Sequence, residues 1–157
     1  MILAYRLLRL VETHSDVLAT GLLERTSHSP WLPDYNNVPP EELRERVHEI
    51  YQHLAEWLLG KGDMDVEKRY LEIGAKRARQ GVPLSQLIWA IILTKKNLWD
   101  FLKQEAVLDR PVEIAGELEV EELLDQFFDR AIFHAAVGYE RYVSDESEPA
   151  RKVSAVG

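Results

Sequence analysis

The chain has 157 residues, 46% of them hydrophobic and 29% charged, with a formal charge of −8 and no cysteine. That length predicts one domain able to bury a core without metal or disulfide. The absence of thiols excludes a disulfide scaffold and cysteine-ligated zinc and fits a reducing cytoplasm, and the acidic balance argues against nucleic acid or an anionic membrane as partner.

The opening "MILAYRLLRLVE" acquires charges at Arg6, Arg9 and Glu12, so it lacks the unbroken apolar core of a signal peptide. Apolar spacing of three and four predicts a first helix from Ile2 to Arg25. Prolines at Pro30 and Pro33 then forbid a regular helix. Pro40 opens a second helix, with Glu41 and Glu42 complementing its dipole, and "GKGD" (Gly60 to Asp63) ends it. A third runs from Asp65 to Gln80 and stops at Gly81. Pro83 starts a fourth that reaches Val107, and "LDRP" (Leu108 to Pro111) breaks the chain. The fifth covers Glu117 to Val143, with an acidic first turn. "SDESEPARKVSAVG" has no apolar periodicity and reads as a flexible tail or linker. No stretch alternates as a strand would, so the pattern predicts an all-α single domain of about five helices. The longest apolar run, Leu87 to Leu93, is far too short to span a bilayer.

Each predicted helix carries an apolar stripe, and four ionisable residues fall within those stripes: His14, Arg77, Lys95 and His134. A buried charge must be paired, neutralised or open to water or ligand. Singly, each has an ordinary reading: a satisfied core histidine, or a long cation snorkelling to water. Together they outline a cationic pocket for a small anionic ligand. The fourth helix is apolar on two sides, because Trp89 and Leu93 lie off its main stripe. It is therefore either central in the fold or part of a homodimer seam.

Catalytic signatures are missing. "ERVH" gives one Glu45–His48 pair, where a di-iron bundle needs two such pairs and further glutamates, and both residues project away from the apolar stripe. His48 and His53 do not share a helix face, which leaves no metal pair there. The glycines follow no phosphate-loop spacing, and no serine sits in a nucleophile elbow. No enzyme and no cofactor are expected. A haem or metal ion held by His134, with His14 as second ligand, is the alternative from a different class.

The segment "GAKRARQGVPLSQLIWAIILTKKNLWDFL" (Gly74 to Leu102), above all its "RARQGVPL" joint, resembles the helical N-terminal domain of RsbT co-antagonist proteins of the RsbR/RsbRD type. "FFDRAIFHAAVGYERY" (Phe127 to Tyr142) is similar to the closing helix of that domain. The resemblance implies a globin-like or bundle-like arrangement without haem. It also implies a bacterial, cytoplasmic sensor and homodimerisation domain in stress-response or two-component signalling. In such proteins the domain precedes an output module, such as an anti-sigma-antagonist domain, a kinase or a helix-turn-helix regulator. Here the sequence stops at Gly157. Residues 1–143 are therefore expected to form the sensor and dimerisation body, and 144–157 a tail toward an output module or a separate kinase or anti-sigma regulator.

Overall fold

A computed structural model of the chain describes residues 2–58, 63–105 and 111–156. It contains six α-helices and one short 3-10 turn, with no strand among the described residues. The helices are α1 (Ile2–Thr13), α2 (Ser15–His28), α3 (Pro40–Leu58), α4 (Asp63–Arg79), α5 (Leu84–Glu105) and α6 (Pro111–Val156). The 3-10 turn is Pro33–Asn37. The expected helix ends at Gly60 to Gly62 and at Val107 to Arg110 lie outside the described residues.

One predicted helix is two. The reading from Ile2 to Arg25 breaks at His14, which has φ −107° and ψ 22°. "THSD" supplies the reason, since Ser and Asp favour helix starts over helix interiors. The Thr13 hydroxyl also donates to the Arg9 carbonyl at 2.7 Å, competing with the backbone ladder. The last helix is longer than predicted at both ends. Pro111 takes the first helical position, where its missing N–H costs nothing. At the far end the helix runs on past Pro149 to Val156, through residues that carry no apolar stripe to reveal it.

The "RQGVP" joint behaves as its residues dictate. Gly81 has φ +77°, the left-handed conformation that glycine adopts without steric cost. Its N–H bonds the Ala78 carbonyl at 3.1 Å, and the Val82 N–H bonds the Arg77 carbonyl at 3.1 Å, the paired bonds of a Schellman cap. Two residues later the Pro83 carbonyl accepts from Gln86 and Leu87 and starts α5.

Helices α4 and α6 form the most extensive pairing in the domain. A Cβ placed on Gly74 would collide with the Ala135 carbonyl, and one on Gly138 with the Leu71 carbonyl. The two backbones touch, and the residue pairing runs the helices antiparallel. The main core lies around this pair and includes fully buried Tyr51, Tyr70, Leu87, Leu98, Leu124 and Phe128. A second, smaller cluster of Leu32, Tyr35, Val38 and Val82 packs on the other side of α5, against Trp89, Ala90 and Leu93. This arrangement accounts for the two apolar sides of α5: the helix lies between the two clusters.

Candidate functional site

A cluster of polar side chains forms where α3, α4 and the 3-10 turn meet. Arg77, in the last turn of α4, is 2% exposed. Its Nη1 donates to Glu42 Oε1 at 3.0 Å and to Gln80 Oε1 at 2.9 Å. Lys76 Nζ reaches the same carboxylate at 3.0 Å, and Gln80 Nε2 lies 3.2 Å from each of its oxygens. Glu42 stands in the first turn of α3, where the helix dipole also favours an anion. Burial alone would raise its pKa, but the bonds from Lys76, Arg77 and Gln80 outweigh burial and hold the carboxyl below its ordinary value. The phenol of Tyr35 lies beside Arg77. Burial pushes it up to about 12, with the guanidinium charge opposing.

One turn further along α3 is a second group of charges. Arg69 of α4 pairs closely with Glu49 and lies 3.8 Å from Glu72. Arg46 Nη1 is 3.9 Å from the same Glu49 oxygen, beyond hydrogen-bond reach, and no described protein atom accepts from it. Partial burial first, and then the charge of Arg69, lower the pKa of Arg46. Beside it the Tyr70 hydroxyl is fully buried and likewise has no hydrogen-bond partner among the described residues. Arg46, Tyr70, Tyr35 and Arg77 all line one partly open pocket of about 50 Å³, whose walls include core side chains such as Leu87 and Ile91. Thr26 and Thr94 also face it, but their hydroxyls are satisfied by the Leu22 and Ala90 carbonyls at 2.8 Å.

Among the four inward ionisable residues read from the sequence, only Arg77 lines this cavity. Lys95 lies on the α5–α6 side, about one-third exposed, and pairs with Asp125 at 2.5 Å. There it borders a surface groove of about 240 Å³ with Lys96, Trp99 and Glu121. His14 sits at the α1–α2 break, where its Nδ1–H donates to the Leu10 carbonyl at 2.9 Å and its ring packs against Phe101 at 5.5 Å. His134 is half-buried on α6, edge-on to Phe133 at 5.4 Å. Neither histidine lines the cavity or the groove.

No group of three or more metal-ligating side chains occurs among the described residues. Trp89 packs its ring 4.5 Å from Trp31, beneath Lys96 Nζ at 4.7 Å, and half-buried Leu93 touches both apolar clusters. Periodicity overlooked Arg46 and Tyr70. The signal available was a tyrosine inside the α4 stripe, whose hydroxyl needs a partner when buried.

No helix among the described residues is long and apolar enough to cross a membrane. No curated protein and no solved structure matches the chain. A family model does, over residues 16–149, and its span takes in the Glu42–Arg77 cluster, the Gly81 joint and the glycine seam. By that match the chain belongs to the family of the RsbT co-antagonist protein rsbRD N-terminal domain, a regulatory rather than catalytic domain of stress-response signalling that works through partner regulators.

Proposed function

We propose that this chain is a non-enzymatic, cytoplasmic sensor domain, and that it passes a change of helix packing from the Arg77 region into α6. The observation that carries the reading is the contact between α4 and α6. Gly74 and Gly138 let the two backbones touch, so neither helix can slide without the other. The Tyr139 hydroxyl of α6 adds a 2.7 Å bond to the Val82 carbonyl, directly at the joint that follows Arg77. A ligand or partner that binds two packings of α3 and α4 unequally then biases the position of α6. In this reading residues 1–143 are the sensing body, and 144–157 lead toward an output module or a separate kinase or anti-sigma regulator.

Hydrogen exchange tests the transmission. Glu42→Gln weakens the Arg77 cluster without touching α6. It should speed exchange of α6 amides around Tyr139 relative to wild type, while the same measurement on Lys95→Met should leave them unchanged. If α6 amides stay unaltered in Glu42→Gln, transmission through the seam is wrong. A Soret band in the purified protein would instead favour a haem-binding domain.

The domain is also proposed to act as a homodimer. Trp31, 62% exposed and resting on Trp89 of α5, extends the second apolar side of that helix to the surface. Trp31→Glu should lower the sedimentation mass toward the monomer, and an unchanged mass would remove this patch from the interface.

A further inference from the structure

The cavity between α3, α4 and α5 contains two hydrogen-bond donors that the protein leaves unsatisfied, Tyr70 Oη–H and Arg46 Nη1–H. Buried donors in native proteins nearly always have a partner, because leaving one without costs most of its desolvation energy. Both donors face a volume of about 50 Å³, and a water takes about 10–15 Å³ on this measure, so there is room for roughly three or four heavy atoms. The opposite walls are apolar, formed by Leu87 and Ile91.

Charge decides what kind of acceptor fits. Four cations, Arg46, Arg69, Lys76 and Arg77, crowd this end of α3 and α4, and the carboxylates they pair with are Glu42, Glu49 and Glu72. Among these four, Arg46 lies 3.9 Å from its carboxylate, Glu49, and its Nη1 has no hydrogen-bond partner among the described residues. An anion entering here meets donors whose desolvation is already part of the folded state, so it satisfies them without reorganisation.

We infer that this cavity is a binding site for a small planar oxyanion of the size of formate or acetate, with its oxygens on Arg46 and Tyr70 and its body against Leu87 and Ile91. A route to it exists. Thr26, Tyr35 and Leu43 line both the cavity and an outer groove of about 350 Å³ between α2, the 3-10 turn and α3. At these shared residues the groove adjoins the partly open pocket and gives the anion its approach. The inference deepens the sensor reading by naming what is sensed, but the binding itself does not depend on that reading.

The test is an NMR titration of the whole chain at constant pH and ionic strength, with sodium formate, acetate or nitrate replacing sodium chloride and benzoate as an oversized control. Saturable shifts of the Leu87 and Ile91 methyls are expected with acetate or formate and not with benzoate. Tyr70→Phe keeps the ring and the fold, and it should weaken acetate binding about tenfold or more, as should Arg46→Gln. Saturation by nitrate alone would narrow the ligand to inorganic oxyanions and keep the site. Shifts that do not saturate, equal binding by benzoate, or unchanged affinity in Tyr70→Phe would overturn it. Binding with no change in α6 exchange would leave the site standing and refute the transmission. Altered α6 exchange in Glu42→Gln without acetate binding would do the reverse.

Discussion

Helix α6 meets the rest of the domain through two seams of opposite character. Against α4 the contact is backbone on backbone, at Gly74 and Gly138, and in the last turn of α4 buried Arg77 bonds Glu42 and Gln80. Against α5 it is side chain on side chain, with a surface groove and the Lys95–Asp125 pair between partly exposed partners. Both seams contain a cation that falls in an apolar stripe. The first cation is buried and locked by several bonds, whereas the second reaches water. Contact between backbones leaves no rotamer freedom to absorb a shift, while a groove with one exposed ion pair can adapt. The α4 seam is therefore the one suited to carry a displacement.

The most severe way to break this contrast is at the glycines. Gly74→Ala drives a methyl group into the Ala135 carbonyl, and the helices must separate to accept it. A loss of about 3 kcal/mol or more is expected in urea unfolding, at the upper end of overpacking effects. A loss below about 1 kcal/mol would mean that the seam is loose.

Next comes Arg77→Met. Removing one partner of a buried ion pair commonly costs about 3–5 kcal/mol. Here Glu42 keeps Lys76 and Gln80 and its side chain is 21% exposed, so a loss of about 2–3 kcal/mol is expected, just below that range. The same urea series measures it, and a neutral result would show that the cluster contributes little to folding.

How far these differences were legible in the sequence follows from what a helical projection contains. Spacing located the helices, Gly81 and Pro83 fixed the joint, and Gly138 already stood in the apolar stripe of the last helix, where a small residue permits close approach. The break at His14 was missed because Leu10 and Val17 keep the stripe running across it, although Ser15 and Asp16 carried the opposing signal. Projection also tells which residues point inward but not which of them meet. It grouped Arg77 with Lys95, His14 and His134, which the fold distributes over four places. Arg46 and Tyr70 were passed over for a related reason. A tyrosine ring belongs in a stripe on its own account, and an arginine between Leu43 and Val47 reads as a stripe edge until a neighbouring helix encloses it.

A smaller effect sharpens the contrast by pH. Glu42 is held below its ordinary pKa when folded, so it binds a proton less readily in the native state than in the unfolded chain. Its contribution is complete above the unfolded value, about 4.3 for a glutamate, and is lost as pH falls through the lower folded value. The stability gap between wild type and Glu42→Gln should thus be constant near neutrality and close as urea midpoints are followed below pH 4. A gap that stays constant down to pH 3 would mean the carboxylate is not favoured by its partners.

The smallest effect belongs to the α5 seam. Lys95 and Asp125 are 36% and 45% exposed, and ion pairs of that exposure contribute about 0–1 kcal/mol. Lys95→Met keeps the aliphatic stem against Leu124 and trades a weak pair for apolar area along the groove, so stability should change by less than about 1 kcal/mol in either direction. Because the groove residues of α6, Glu121 to Asp125, lie about three turns before Ala135 and Gly138, α6 exchange around Tyr139 and acetate titration should both match wild type. Loss of acetate binding in Lys95→Met would connect the two seams electrostatically and cancel the division of labour between them. Parallel behaviour in all three measurements would establish that two inward cations, chosen by the same sequence rule, serve one helix in different ways: Arg77 fixes it, and Lys95 only borders it.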